Sequence, residues 1–550
     1  MKNITLLGIN ARFTHSNLAL LYIRESIIDL DYKTVILEEN INQDKFKILS
    51  SILESEPDIL AISVYIWNRD LVKFIVSSIK RLYPEIKVVL GGPEAGYNHR
   101  YWLSLANAPD YIIVGGGEAG WRHLCLNKFD LQEKVIQLKN KPFSQIPLPY
   151  HKTDFANLEN RYIYYESSRG CPFNCSFCIS SRMDQQLEFK SFEQIKEELD
   201  FMLVSESNII KFVDRSFNAD RKVSRAVWNY INSLETKTKF HFEVHPGLLS
   251  EEDFTIFQET PQERIQLEIG IQSTNEQTLR EIHRTHQFGA FKDNLQKLLT
   301  FKNIHTHLDL IIGLPYEDKA SFLNSLNDLL LLEPDVIQLG FLKVLPGTEM
   351  HEKTEEYELI YDVDPPYQVL QTKWVSFADM KYFYVLEDTF ELIFNASRFT
   401  HTLKLLRSYY PRPVDLFISF VDFLGSEESL DKKNWQAIFS TFRRFLLSDL
   451  PQLEKAVLDD YLSWDWLTFT RKDNLPAFLQ REEIVVFRKA VFSDLRSDKF
   501  QFWENLLGAK VKALTICAFY VASTEQFSQD ILDNDKQALI FKDEIFTIDV

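Results

Sequence analysis

From Ile4 to Val114 the hydrophobic pattern switches repeatedly between short apolar runs and longer amphipathic stretches. Ile4–Gly8, Thr34–Leu37, Ile59–Val64, Lys87–Leu90 and Tyr111–Val114 read as strands, with Leu18–Ile28, Asp44–Ser55 and Leu71–Leu82 as helices between them. This βαβα rhythm predicts a parallel sheet covered by helices, with ligands received at the carboxyl ends of the strands. The expected fold of residues 1–140 is a doubly wound, Rossmann-like or flavodoxin-like domain. Pro-rich sequence then predicts a stiff extended linker over 141–160. A second series runs through Tyr162–Glu166, Ile209–Val213, Phe240–Val244, Ile265–Ile271, His307–Ile312 and Val336–Leu342. Six strands separated by helical-period sequence predict an open, partial (β/α)6 barrel over 161–365. Residues 366–550 change to aromatic-rich helical segments such as Tyr382–Phe394 and Trp435–Leu447, so this extension is expected to be mainly helical, its aromatic stripes serving as packing core.

Composition narrows the class. A chain of 550 residues, 45% hydrophobic and 25% charged, is too long for one core. Its start reads as a strand without a secretory pattern, and no stretch approaches the roughly 20 apolar residues of a membrane span, so a cytoplasmic protein without membrane attachment is expected. The net charge of -18 opposes broad binding to nucleic-acid phosphates. Only five cysteines are present, and three lie within eight residues, a metal-site distribution and not a disulfide framework. Cys125 and Cys517 sit in apolar sequence and read as inert buried thiols. Glycines at the expected strand ends, in Gly8–Arg12, Gly91–Glu94 and Gly115–Glu118, permit close approach of backbone N–H groups to a ligand.

The cysteine triplet carries the chemistry. Gly170-Cys171-Pro172-Phe173-Asn174-Cys175-Ser176-Phe177-Cys178 has C-x3-C-x2-C spacing, which lets one loop wrap three thiolates around a metal centre. Structural zinc needs a fourth ligand, and the nearest candidate, His151, lies beyond a predicted strand. An iron-sulfur cubane held by three cysteines leaves one iron open to a substrate molecule. His283 and His286 share an i, i+3 spacing, but no carboxylate-rich partner motif follows, and they read as surface or capping residues.

A triplet of this kind at the end of the first strand of a βα barrel resembles the radical SAM superfamily, and the resemblance extends from Tyr162 to Gly347. It implies a 4Fe-4S cluster on Cys171, Cys175 and Cys178 whose unique iron chelates S-adenosylmethionine. One electron then breaks the sulfonium C–S bond and yields a 5'-deoxyadenosyl radical. The resemblance places the SAM contacts at Phe177, Asp214, Glu243, Glu268, Gln272, Arg284, Asp309 and Gly313, although Asp214 stands where many relatives carry Gly-Gly-Glu.

The preceding αβ domain resembles the cobalamin-binding branch of the superfamily. That implies a corrin over Gly8, Asn10, Ser63, Tyr65, Gly91, Gly92, Glu94, Gly117 and Glu118, without the Asp-x-His-x-x-Gly motif that supplies a cobalt-ligating histidine. The implied function is cobalamin-dependent methyl transfer to an unactivated carbon of a small-molecule or unknown substrate, with electrons from an external donor such as flavodoxin or ferredoxin. The alternative is a cobalamin-independent modification or rearrangement that uses the first domain for recognition. Less favoured are an iron-sulfur redox sensor and a tRNA methylthiotransferase, a family whose first domain carries a further cysteine trio where this one has only Cys125.

Overall fold

Strand β1 (Lys2–Asn10) is buried at seven consecutive positions, the signature of a strand covered on both faces. It lies inside a six-stranded sheet with β2 (Tyr32–Asn40), β3 (Ile59–Ser63), β4 (Lys87–Gly91), β5 (Tyr111–Ile113) and β6 (Val135–Ile136), in the order β2-β1-β3-β4-β5-β6. Every neighbouring pair is parallel. Alternate residues of each strand enter two cores. One joins Leu7, Ile62 and Leu90 to Val72, Ile75 and Ile79 of the helix Arg69–Leu82. The other joins Leu6, Ala61 and Val89 to Trp121 and Leu124 of the helix Gly117–Leu126. The register sets Gly8 opposite Ser63 and Ser63 opposite Gly91, so the carboxyl ends of three strands stand in one row.

The Pro-rich segment departs from the extended tether expected of it. Phe143–Gln145 and Lys152–Asn157 form 3-10 turns. Phe143 and Ile146 pack on Tyr22, while Arg24 grips Asp154 at 2.6 Å and the Pro149 carbonyl at 2.8 Å. Apolar residues between the prolines account for the difference, since a buried Phe side chain contributes on the order of 2–3 kcal/mol that a free tether forgoes.

The barrel sheet contains Ile163–Tyr165, Ile209–Phe212, Lys239–Glu243, Ile265–Gln272, His305–Ile312 and Val336–Phe341, parallel and in sequence order, with its first and last strands unpaired to one another. Phe212 and Phe242 pack with Phe217 and Trp228 on the helix-covered face. The two-residue period sends Lys211, His241, Glu268, His307 and Asp309 to the opposite face. A bulge between Gly270 and Gln272 puts Gln272 at a φ of +73°.

This computed structural model describes residues 2–181, 187–205, 207–284, 288–425, 431–470 and 475–482, then 485–486, 489, 493 and three strands near the C-terminus. The chain divides into two compact units, Met1–Met380 and Lys381–Val550. In the second, the helices Val414–Leu424 and Trp435–Asp449 pack through Phe420, Phe442 and Phe445, and Lys455–Thr470 joins them through Trp466 on Phe439. Asp459 and Asp465 are buried on Lys455–Thr470, paired with Arg443 and with His401 and Thr402. The strands Cys517–Tyr520, Gln537–Phe541 and Glu544–Thr547 form an antiparallel sheet that the helical pattern did not predict. Cys125 is buried and its thiol is pushed up to about 12 by burial, an unreactive group as expected. His286 and the side chain of Cys517 lie outside the described residues. No described helix is long and apolar enough to cross a membrane.

Candidate functional site

A cavity of about 630 Å³ lies between the carboxyl ends of β1, β3, β4 and β5 and the loop that follows the first barrel strand. Of the first-domain residues expected at a ligand, Asn10, Ser63, Tyr65, Gly91, Gly92, Gly117 and Glu118 line it. Gly8 and Glu94 do not. A Cβ on Gly8 would meet Asn17 at 2.9 Å and Leu20 at 3.0 Å, so this glycine admits the helix Leu18–Glu25. Glu94 is buried and accepts from the Tyr367 hydroxyl at 2.8 Å and from Asn98 at 3.0 Å, with Arg69 beside it at 3.6 Å. That carboxylate is committed to holding the segment around Tyr367.

The opposite wall comes from the barrel, through Tyr164, Glu166, Ser168, Arg169, Gly170 and Arg215. None of these was given a ligand role from the sequence, although Gly170 opens the cysteine motif and Arg169 directly precedes it. Arg169 donates to Glu118 at 2.7 Å and to Glu166 at 3.0 Å, and its guanidinium stacks over Tyr22 and Phe143. One side chain thereby joins the Gly117 helix, the Pro-rich segment and the cysteine loop.

Cys171, Cys175 and Cys178 follow on this loop. Gly170 enters it at a φ of +93°, a conformation open to glycine. Ser176 N–H donates to the Ile282 carbonyl, the Ser176 carbonyl accepts from Met350 N–H at 2.9 Å, and Cys178 N–H closes a turn on the Cys175 carbonyl. Burial raises the Cys175 pKa; the thiols of Cys178 and Cys171 add to the rise, and the nearby Arg284 guanidinium opposes it. Cys171 Sγ turns toward Ser216 Oγ at 3.7 Å, and the described side chains do not stand as a preformed three-ligand group. The donor chemistry still fits a cluster: three thiols outside any disulfide on one pinned loop, with a cation to offset thiolate charge.

The SAM candidates separate into three groups. Gln272, Arg284 and Asp309 converge. A Cβ on Gly270 would lie 2.2 Å from Gln272 Nε2 and 3.2 Å from Arg284 Nη2, so both side chains cross that glycine, which faces Asp309 in register. Gln272 Oε1, Arg284 Nε and Asp309 Oδ1 are buried without hydrogen-bond partners among the described residues. Orphaned buried polar atoms are costly, and three together fit a polar ligand that satisfies them. Burial, with Glu268 and Glu243 adding, drives the Asp309 carboxyl far above its usual range.

Glu243 and Glu268 line the same region but differ in state. Burial, opposed by Arg215, pushes Glu243 up to about 7, whereas a 3.0 Å hydrogen bond to His241 holds Glu268 below its usual value. Phe177 is half-buried on the cysteine loop.

The third group, Asp214 and Gly313, serves packing. Asp214 is buried and accepts from Ser167 N–H, Ser167 Oγ and Ser168 Oγ, so its carboxylate braces the turn before the cysteine loop instead of presenting itself to a ligand. Gly313 has a φ of +92°, and the room beside it is filled by Val369 and Met380, which a Cβ would approach at 2.8 and 2.9 Å. His283 bonds Glu349 at 2.9 Å, consistent with a structural histidine.

Residues 4–124 match the B12 binding domain, residues 165–329 the Radical SAM superfamily, and residues 355–546 a family described as a protein of unknown function, DUF4080. The chain is 25% identical over 340 residues to the cobalamin-dependent radical SAM methyltransferase TokK of Streptomyces tokunonensis, covering 55% of this chain and 50% of that protein. It is 23% identical over 317 residues to the 2-(S-pantetheinyl)-carbapenam-3-carboxylate methyltransferase of Streptantibioticus cattleyicolor, covering 50% and 45%. The chain thus spans about half the length of the curated relatives it matches. In fold it resembles the cobalamin-dependent S-adenosylmethionine radical enzyme OxsB with aqua-cobalamin bound, with a TM-score of 0.60 at 16% identity over 90% of this chain and 81% of that one. A B12-binding domain is here joined to a radical SAM domain and a DUF4080 region, and the chain is homologous to the cobalamin-dependent radical SAM methyltransferases.

Proposed function

We propose that this chain is a radical SAM methyltransferase that holds a 4Fe-4S cluster on Cys171, Cys175 and Cys178, S-adenosylmethionine beside Gln272, Arg284 and Asp309, and cobalamin in the cavity above the first sheet. The observation that carries this reading is the shared wall: the strand ends of the B12-binding domain and Gly170 of the cysteine loop line one cavity. When bound, the cluster supplies the electron that cleaves the sulfonium, and cobalamin supplies a methyl carrier. The chain's own residues bind and orient. Arg284 faces the Cys175 thiol and the Asp309 carboxyl, a position suited to a ligand carboxylate. Neutral Asp309 has a proton to donate, and Gln272 can accept from an amine or hydroxyl. The aromatic pair Tyr65 and Trp67, stacked at 4.3 Å, presents a flat face at the cavity.

The substrate is a small molecule, and an external one-electron donor of the flavodoxin or ferredoxin kind reduces the cluster in the cytoplasm. Anaerobic reconstitution with iron, sulfide and hydroxocobalamin tests the assignment. The expected result is about four irons and one cobalt per chain, with 5'-deoxyadenosine or S-adenosylhomocysteine released on reduction with S-adenosylmethionine. Cys175→Ser should abolish the iron and its visible absorbance. Iron and cleavage without bound cobalt would replace this reading with a cobalamin-independent radical enzyme.

A further inference from the structure

We infer that His283 and Glu349 are positioning residues for the cysteine loop, joined with Lys353, Glu281 and Tyr357 in a clamp that fixes the geometry of the cluster site; the inference rests on the cluster reading above. Ser176, between Cys175 and Cys178, is a point of attachment for that loop. Its N–H donates to the Ile282 carbonyl at 3.2 Å, and its carbonyl accepts from Met350 N–H at 2.9 Å. Cys178 N–H closes on the Cys175 carbonyl at 3.0 Å, so both residues move with this peptide. Their placement is therefore set by two elements far apart in sequence, the turn after the helix Glu276–Glu281 and the helix Glu349–Glu352.

Side chains tie those two elements together. His283 Nε2 lies 3.0 and 2.9 Å from the two carboxylate oxygens of Glu349. Lys353 Nζ reaches Glu349 at 3.2 Å, Glu281 at 3.0 Å and the Tyr357 hydroxyl at 2.9 Å. The hydroxyl of Tyr357, a buried residue, donates in turn to Glu281. The Tyr357 hydroxyl and then Lys353 hold the Glu281 carboxyl below its usual range; against burial, His283 and Lys353 do the same for Glu349. An isolated exposed ion pair contributes little, but here each acid has two partners and the group acts as a network.

His283 also shapes the turn. Its φ of +61° is left-handed, and Arg284 N–H closes back on the Leu279 carbonyl at 2.8 Å. A non-glycine residue keeps that conformation where its surroundings over-determine it, and the bond to Glu349 supplies one such constraint. The next residue, Arg284, is the cation that opposes the rise at Cys175 and that crosses Gly270 beside Gln272. One clamp thus governs the loop between two thiols and the guanidinium assigned to a ligand carboxylate. Metal ligands depend on such outer contacts for their aim, and losing one lowers metal affinity by about 10–100-fold.

The test uses the full chain after anaerobic reconstitution with iron and sulfide. Iron loss to a chelator is timed, and electron paramagnetic resonance of the reduced cluster is followed as S-adenosylmethionine is added. Glu349→Ala should release iron about 10-fold faster or more and need correspondingly more S-adenosylmethionine for half of the spectral change. His283→Asn should do the same, since asparagine tolerates the left-handed turn but is too short to reach Glu349; it covers the case in which Glu349→Ala fails to fold. Glu349→Gln, which can still accept from His283 and Lys353, should recover most of both properties. Iron retention and spectral response like those of the unaltered chain in Glu349→Ala and His283→Asn, or a lower melting temperature as their only effect, overturn the clamp while leaving the cluster assignment intact. An unaltered chain that takes up no iron overturns the cluster assignment and this inference with it.

Discussion

A carboxyl buried without a cation keeps its proton, and Glu317 is such a group. Its Oε1 accepts from Ser273 at 2.6 Å and Ser325 at 2.9 Å, while Oε2 has no partner among the described residues. Burial, only partly offset by those hydroxyls, lifts the acid from 4.5 to about 7. The folded chain then keeps a proton that the unfolded chain releases. The associated stability is fully present below about pH 4.5 and lost as pH rises through 7, on the order of 3 kcal/mol in all. Denaturation midpoints should therefore fall across this window, and Glu317→Gln should flatten the fall; a wild-type slope surviving in the variant would remove Glu317 as its source. At this scale the sequence offered residue types and not their partners. Asp214 and Glu94 read as ligand contacts because charged groups near strand ends suggest ligands, yet Ser167, Ser168 and Tyr367 satisfy them internally.

Among elements, two adjacent glycines separate a backbone requirement from a binding one. Gly92 has a φ of +94°, and a Cβ there would lie 2.7 Å from the Val64 carbonyl oxygen, a backbone atom held in the sheet. Gly91 has no atom within 4 Å of such a Cβ. Gly92→Ala should cost on the order of 2 kcal/mol or more, from the left-handed conformation and the clash together. Gly91→Ala should leave the melting temperature of the cofactor-free chain nearly unchanged and act on cobalamin uptake alone. Equal losses of stability in the two variants would contradict this division. The strands and helices of both αβ series were legible because their periods differ, 2 in a strand against 3.6 in a helix. Strand β6 was missed because two residues, Val135 and Ile136, show no period. The terminal antiparallel sheet was missed because its short strands stand among aromatic residues that suit helix packing equally well.

For the molecule as a whole, Arg169 joins the B12-binding domain to the cysteine loop. Its partners Glu118 and Glu166 are largely buried, so removing the guanidinium leaves two carboxylates without a cation. Arg169→Ala should cost about 3–5 kcal/mol, the range for breaking a buried pair. It should also open residues 137–161 to protease, with cobalamin retention reduced more than cluster assembly. Arg169→Lys keeps the charge but not the fork that reaches both acids, and should fall between the two. Unchanged protease resistance in Arg169→Ala would show that other contacts suffice.

The order of domains, the parallel sheets and the three thiols were determined by local sequence: hydrophobic periods and cysteine spacing are written along the chain and survive any packing. Tertiary structure alone decided that Gln272, Arg284 and Asp309 meet while Asp214 and Gly313 serve packing, and that His15 and Arg169 stand on the cavity wall. Those outcomes depend on strand register and on partners as distant as the 149 positions between His15 and Tyr164, which no local pattern encodes.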